Sequence, residues 1–119
     1  MPVTAIKDYE KYFRGIEPQY VKKLLGILMA VVPDAKIILY GSRARGDYRD
    51  RSDIDIALDM HGQRIPASLF LEAQEFAKTS HMTHMVDVVD FADARGTFRE
   101  EILRDGIALN DLITVGKLI

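Results

Sequence analysis

Hydrophobic residues recur along the chain with two different periods, which predicts a mixture of helices and strands. A first helix is predicted to begin at Pro18 and to stop at Pro33, with apolar side chains three or four positions apart. Pro66 to Lys78 has the same spacing, and Phe98 to Arg104 predicts a last helix that ends at Gly106. The apolar stripes of the first two helices are Val21, Leu24, Leu25, Leu28 and Met29, and Leu69, Phe70, Ala73, Phe76 and Ala77.

Three short segments predict strands. Ala35 to Tyr40 is a mostly apolar run with adjacent isoleucines, which is typical of a buried strand. Ser52 to Leu58 and Met85 to Val89 alternate polar and apolar residues, the period of a strand with one face in the core. Between the first two strands, Ser42 is a good helix N-cap, which predicts a short helical turn through Arg45 that ends at Gly46.

The predicted order is helix, strand, short helix, strand, helix, strand, helix. This order indicates an α/β (α+β) fold in which helices flank a small sheet. The first fifteen residues and the tail after Asn110 are too weakly patterned to assign. With 119 residues and 13.5 kDa, the chain fits a single domain over residues 1–119, with its core at about 18–109.

Composition narrows the classes of function. Sixteen basic and eighteen acidic residues give a formal charge of -2, which argues against bulk nucleic-acid binding but allows one nucleotide in a local site. The absence of cysteine excludes disulfides, thiolate metal sites and a cysteine nucleophile. The longest apolar run, Leu24 to Val32, is about half of what a bilayer requires, and the first residues lack the apolar core of a signal peptide. We therefore expect a soluble cytoplasmic protein without a membrane partner.

Two aspartates stand two positions apart in the second predicted strand. Asp53 and Asp55 should project from one face, while Ile54, Ile56 and Leu58 project from the opposite, core face. Adjacent carboxylates repel each other unless a cation lies between them, and Mg²⁺ prefers carboxylate and phosphate oxygens. The alternative for an isolated pair of this kind is a solvated polar face on a half-exposed strand.

The turn before this strand favours the metal interpretation. Gly41 and Ser42 directly follow a predicted buried strand and begin a helix, so backbone N–H groups and a hydroxyl can face a phosphate. Alone, the pair is an ordinary turn between a strand and a helix. Ten residues separate Ser42 from Asp53, which allows one helical turn, a loop and the return into a neighbouring strand. A phosphate site and a metal-binding pair at one edge of a sheet indicate a nucleoside triphosphate site.

A third carboxylate is predicted in the last strand. Asp87 interrupts an apolar strand, where an aspartate is costly to bury unless it is paired or bound to metal. Asp90 is the alternative, but the alternation of the strand places it on the face of Val88, so we favour Asp87. Asp87 is also a candidate base that accepts the proton of an acceptor hydroxyl.

Other polar residues near these motifs have two interpretations each. Arg43 and Arg45 are candidates for phosphate or partner contacts, and the alternative is a solvated loop neutralised by neighbouring aspartates. His81 and His84 are interpreted as loop residues rather than a metal pair, because no third nitrogen ligand is evident.

The segment GSRARGDYRDRSDID resembles the G-S-x10-D-x-D signature of the DNA polymerase β-like nucleotidyltransferase superfamily. In its short length the chain resembles the minimal nucleotidyltransferase branch of that superfamily, the MNT or MntA-like antitoxins. The resemblance extends from about Ile37 to Leu109, because MVDVVDF and EEILRDGIALN are similar to the third-carboxylate strand and closing helix of that family.

The resemblance implies a small mixed sheet flanked by helices and a reaction that uses two Mg²⁺ ions. It implies transfer of a nucleoside monophosphate from ATP or another nucleoside triphosphate to an acceptor hydroxyl, with release of pyrophosphate. Gly41 and Ser42 match the positions that hold the triphosphate, and Asp53, Asp55 and Asp87 match the metal-binding catalytic acids.

The resemblance also implies a partner, a small helical HEPN-family protein. Some antitoxins of this branch adenylylate a tyrosine of a HEPN ribonuclease and so silence it. The first hypothesis is therefore a Mg²⁺-dependent protein adenylyltransferase. The second is a nucleotide-binding subunit without catalysis that neutralises its partner by covering it. A third, a transferase for a small acceptor such as an aminoglycoside, is less favoured because nothing resembles an acceptor pocket.

Overall fold

The computed structural model describes residues 2–79 and 83–116. It contains six strands and five α-helices in that part of the chain. The strands are β1 (Val3–Ile6), β2 (Lys36–Tyr40), β3 (Ile54–Asp59), β4 (Val86–Asp90), β5 (Ile107–Ala108) and β6 (Ile113–Val115). The helices are α1 (Tyr9–Phe13), α2 (Pro18–Val31), α3 (Gly41–Arg45), α4 (Ala67–Lys78) and α5 (Gly96–Asp105), with 3₁₀ turns at Phe91–Asp93 and Leu109–Leu112.

Four strands form a mixed sheet in the order β4-β3-β2-β5. Strand β2 is antiparallel to both β3 and β5, whereas β3 and β4 are parallel. The parallel pair needs a long crossover connection, and α4 supplies it. The expected small mixed sheet flanked by helices is confirmed.

A second, two-stranded sheet joins the ends of the described chain. Strand β1 pairs antiparallel with β6, with Val3 opposite Val115 and Ile6 opposite Ile113. The sequence pattern left both segments unassigned. These strands have only four and three residues, so neither carries enough alternation to be recognised without its partner.

The main core lies between one face of the mixed sheet and the helices α2 and α4. Ile54, Ile56 and Leu58 are fully buried on this face, as their alternation predicts. Leu24 and Leu28 of α2 pack in the same cluster. Burial of this face leaves the carboxylates of β3 to project from the opposite face of the sheet.

The opposite face is covered in part by α5 and the 3₁₀ turn after β4. Ala57, Phe91 and Ile102 form a smaller buried cluster there, and Ile38 and Tyr40 pack against it. Through Tyr40, which is the register partner of Asp55, this cluster reaches the end of the sheet that carries the carboxylates.

Several predicted details differ in the structure. Phe76, assigned to the buried stripe of α4, is 43% exposed, because Ala73 and Ala77 occupy the closest contact with the core. Helix α5 begins at Gly96, two residues before the predicted start, and β4 extends one residue further to Asp90. None of the helices in the described ranges has the length and hydropathy needed to cross a bilayer.

Candidate functional site

Three polar residues lie side by side on adjacent strands at one end of the mixed sheet. Tyr40, the last residue of β2, is the register partner of Asp55 in β3, and Asp55 is the partner of Asp87 in β4. Neighbouring strands are about 5 Å apart, so the two carboxylates are direct neighbours. The structure therefore brings together two of the acids that the sequence analysis singled out.

The carboxyl group of Asp55 is the electrostatic centre of this cluster. Its pKa rises from 3.8 to about 6, first because of burial and then because of the negative charges of Asp87 and Asp53. Arg45 acts in the opposite direction and lowers the pKa of Asp55. A carboxyl group in this setting resists ionisation until a cation neutralises its neighbours.

Asp53 was predicted on the strand, but β3 begins at Ile54, so Asp53 lies in the loop immediately before it and is exposed. A tight turn orders this loop, because the Arg49 N–H donates to Ser52 Oγ at 2.9 Å and the Ser52 N–H donates to the Arg49 carbonyl at 2.9 Å. The charge of Asp53 contributes to the raised pKa of Asp55, so all three predicted acids interact.

Gly41 brings the start of α3 directly against Asp55. The backbone of Gly41 has a φ of 75°, a conformation that L side chains rarely adopt. A Cβ atom at this position would collide with Asp55 Oδ2. Only glycine therefore permits the approach. The first N–H groups of α3, including that of Ser42, lack partners within the helix. They can therefore donate hydrogen bonds to phosphate oxygens.

Arg43 does not fit the predicted phosphate contact. Its side chain is fully buried, and its guanidinium donates to four backbone carbonyls at 3.1 to 3.2 Å, those of Tyr12, Arg14, Asp50 and Ser52. The guanidinium also lies 4.5 Å from the centre of the Tyr48 ring. Burial lowers the pKa of the Arg43 guanidinium. Its N–H groups are taken up by the four carbonyls and are not free to bind a phosphate. Arg43 therefore joins the N-terminal segment to the loop that carries Asp53 and does not reach the surface of the site.

Arg45, in contrast, keeps an accessible guanidinium. Its side chain is 40% exposed and forms an ion pair of 3.3 Å with Asp47. Its positive charge acts on Asp55, so it lies near the carboxylates. A surface pair of this kind contributes little to stability, so the guanidinium can exchange Asp47 for a phosphate at small cost.

Asp87 and Asp90 have different roles, as the alternation of β4 predicts. Asp90 is only 4% exposed and accepts hydrogen bonds from the backbone N–H groups of Ile65 at 2.9 Å and Ala92 at 3.1 Å. These bonds commit Asp90 to holding two chain segments. Asp87 is exposed on the face of Asp55 and remains available to a ligand.

Tyr40, the residue before Gly41, contributes a hydroxyl group to the acidic cluster. In the structure its hydroxyl donates to Asp87 Oδ2 at 3.4 Å, across the intervening strand β3. Burial, together with the charges of Asp55 and Asp87, raises the pKa of the Tyr40 hydroxyl, so it stays protonated as a donor. Its position directly before Gly41 is the one feature of the sequence that places Tyr40 near the site. Its contact with Asp87 could not be predicted, because that contact depends on the order of three strands.

A cleft of about 630 Å³ opens beside Asp53. One wall is the loop of Asp50 and Arg51, and another is formed by residues 83–85. His84 belongs to this wall, with its Nε2 atom 2.6 Å from the Asp50 carbonyl oxygen, whereas His81 lies outside the described residues. The predicted loop role of His84 agrees with this position.

The donor set fits Mg²⁺ when phosphate oxygens complete the coordination. Among residues 2–79 and 83–116, no group of three or more histidine, aspartate or glutamate side chains is already arranged to enclose an ion. Mg²⁺ is usually bound by one or two carboxylates together with waters and substrate phosphates rather than by a cage of protein ligands. Asp55 and Asp87 supply such a pair, and the N-terminal turn of α3 lies directly beside it.

Comparison with known proteins agrees with this geometry. The family model described as Polymerase beta, Nucleotidyltransferase matches residues 22–111. No curated protein matches the chain. Among solved structures, a toxin–antitoxin complex with AMP-PNP has 25% identity and a TM-score of 0.58, covering 73% of this chain and 69% of that one.

Two further structures share the fold. A tri-AMPylated HEPN toxin from Shewanella oneidensis in complex with its MNT antitoxin has 22% identity and a TM-score of 0.55, with 76% of this chain and 68% of that one covered. An MntA–HepT toxin–antitoxin complex has 21% identity and a TM-score of 0.54, with the same coverage. Because the family model covers most of the chain and includes the whole acidic site, this protein belongs to the polymerase β nucleotidyltransferase family.

Proposed function

We propose that this protein transfers AMP from ATP to a hydroxyl group of a partner protein, as the antitoxin of a HEPN-family toxin. The observation that carries the proposal is the pairing of Asp55 with Asp87 directly beside the glycine turn that begins α3. Two carboxylates next to a phosphate-binding turn are the parts that a nucleotidyl transfer requires.

The triphosphate is assigned to the start of α3. The N–H groups that follow Gly41 and the Ser42 hydroxyl would hold phosphate oxygens, and Arg45 would neutralise charge on the departing pyrophosphate. Arg43 is left out of this contact because its guanidinium is buried.

Asp53, Asp55 and Asp87 would hold two Mg²⁺ ions together with the phosphates. When bound, Mg²⁺ supplies charge neutralisation for the triphosphate and the departing pyrophosphate. The raised pKa of Asp55 supports this assignment, since a cation relieves the repulsion among the three acids.

The transfer step balances as a single substitution at phosphorus. The acceptor oxygen forms a bond to the α-phosphorus, the bond from that phosphorus to the bridging oxygen breaks, and pyrophosphate leaves. The proton of the acceptor hydroxyl goes to Asp87, the exposed carboxylate of the pair.

The solved relatives support the choice of nucleotide and acceptor. One similar complex was solved with AMP-PNP, and the Shewanella oneidensis complex contains an AMPylated HEPN toxin.

Intact-mass measurement of a HEPN protein encoded beside this one tests the proposal. The two proteins are incubated with ATP and Mg²⁺, and we expect the neighbour to gain one or more AMP units. Asp53→Asn should abolish the gain while preserving the fold. Asp59→Asn is the matched control, because Asp59 lies at the far end of β3 and its bond from the Gly62 N–H can be kept by an asparagine oxygen.

Failure of the reaction has a distinct signature. A stable complex without any mass gain would refute the transferase and favour the second hypothesis, a subunit that neutralises its partner through binding alone. Unchanged transfer by Asp53→Asn would refute the metal role of that residue. Transfer of AMP to a small hydroxyl compound, with none to the neighbouring protein, would refute the proposal that the acceptor is a protein.

A further inference from the structure

We propose that Tyr40 is a positioning residue that orients Asp87 toward the metal, an inference that rests on the proposed function. The Tyr40 hydroxyl donates to Asp87 Oδ2 at 3.4 Å. Tyr40 belongs to β2 and Asp87 to β4, so the phenol spans the strand that carries Asp55. One side chain thereby connects the strand before the phosphate turn to the outermost acid.

The ring of Tyr40 is held in place by its surroundings. It meets the Phe98 ring of α5 edge to face, with 5.5 Å between the ring centroids and an angle of 77°. Tyr40 is half-buried and packs against the small core cluster under α5. An edge-to-face pair of this kind restricts the direction of the phenol, so its hydroxyl approaches Asp87 from a defined side.

Asp87 needs such a partner because of its place in the fold. It lies on the outermost strand of the mixed sheet and its side chain is exposed, so the fold restricts its rotamers weakly. A donor on Oδ2 favours one orientation of the carboxylate and would leave Oδ1 free to bind a metal ion. Partners of metal-bound carboxylates act in this way and influence metal affinity.

The length of the contact sets the size of the effect. An optimal O–H···O hydrogen bond is about 2.7 Å long, so a bond of 3.4 Å favours one orientation of the carboxylate without locking it. Removal of such partners typically lowers metal affinity about 10- to 100-fold, and we expect the lower end of that range.

Titration of Mn²⁺ in the presence of AMP-PNP, with no partner protein and therefore no acceptor hydroxyl, measures this effect without turnover. The midpoint of thermal unfolding is followed against Mn²⁺ concentration, which gives an apparent dissociation constant for each variant. Tyr40→Phe keeps the ring contact with Phe98 and removes only the hydroxyl. We expect about a tenfold weaker apparent affinity for Mn²⁺.

Tyr9→Phe is the matched control. Tyr9 is also partly buried, and its hydroxyl donates to the Ile16 carbonyl at 2.6 Å in the N-terminal segment. This variant loses a tyrosine hydrogen bond of its own, so its basal unfolding temperature should fall. Its Mn²⁺ constant should equal that of the unmodified protein. An equal loss of Mn²⁺ affinity in both variants would overturn the proposal.

A double variant shows whether Tyr40 acts through Asp87. In the Asp87→Asn background, Tyr40→Phe should cause no additional loss of Mn²⁺ affinity. A further tenfold loss in that background would overturn the positioning role. If Asp87→Asn weakens Mn²⁺ binding but Tyr40→Phe does not, the inference fails and the proposed function stands. If Asp87→Asn also leaves the constant unchanged, the metal assignment of the proposed function fails together with the inference.

Discussion

Replacement of Asp55 by asparagine should stabilise the metal-free protein. The folded protein places this carboxyl group beside two other acids and removes part of its hydration, which raises its pKa from 3.8 to about 6. Asparagine has the same shape and carries no charge. The substitution therefore removes the repulsion and most of the cost of burial.

The raised pKa of Asp55 determines how folding stability changes with pH. Between pH 4 and 6 the folded protein holds a proton on Asp55 that the unfolded chain releases, so folding stability falls as the pH rises through this range. The penalty is absent below about pH 4 and complete above about pH 6. The advantage of Asp55→Asn should therefore grow across this range and then level off.

The magnitude follows from the size of the shift. A change of about two pKa units corresponds to about 3 kcal/mol for a fully buried group. Asp55 is only partly buried, so solvent screening reduces the expected gain to about 1 kcal/mol. For a domain of this size that is about 4 °C in the midpoint of thermal unfolding.

Urea unfolding in EDTA at several pH values between 4 and 8 is the assay. The same series with Mg²⁺ and AMP-PNP should reverse the order, since ligand at 100 times its dissociation constant stabilises the unmodified protein by about 2.7 kcal/mol. An Asp55→Asn variant that is less stable in EDTA at pH 7.5, or a difference that does not vary between pH 4 and 7, would refute the electrostatic reasoning.

Two further predictions concern residues around the acids. Arg43→Met should cost about 3 kcal/mol or more in urea unfolding, because four backbone carbonyls lose their buried donor. A loss of less than 1 kcal/mol would contradict the structural role of this guanidinium. Gly41→Ala should abolish Mn²⁺-dependent binding of AMP-PNP in calorimetry, since its Cβ collides with Asp55. Gly46→Ala has a similarly positive φ but open space around its Cβ, so it should cost about 1 kcal/mol of stability and preserve binding.

The sequence by itself determined the elements of the core and the faces of their residues. Helix α2, the strand before Gly41 and the alternation of β3 follow from local periodicity, which depends on neighbouring residues alone. The alternation of β4 likewise separated Asp87 from Asp90, because a strand sends successive side chains to opposite faces.

Only the tertiary structure decided which polar groups meet. The pairing of Asp55 with Asp87 requires the parallel register of β3 and β4, which is set by hydrogen bonds between segments about thirty residues apart. The contact of Tyr40 with Asp87 requires the order of three strands. Arg43 has the residue type and the position of a phosphate ligand, yet its guanidinium is enclosed by the carbonyls of Tyr12 and Arg14, which precede it by 31 and 29 residues, together with two carbonyls of the following loop. Local pattern cannot reveal such an enclosure, because half of the carbonyls come from the N-terminal segment, which only folding brings next to Arg43.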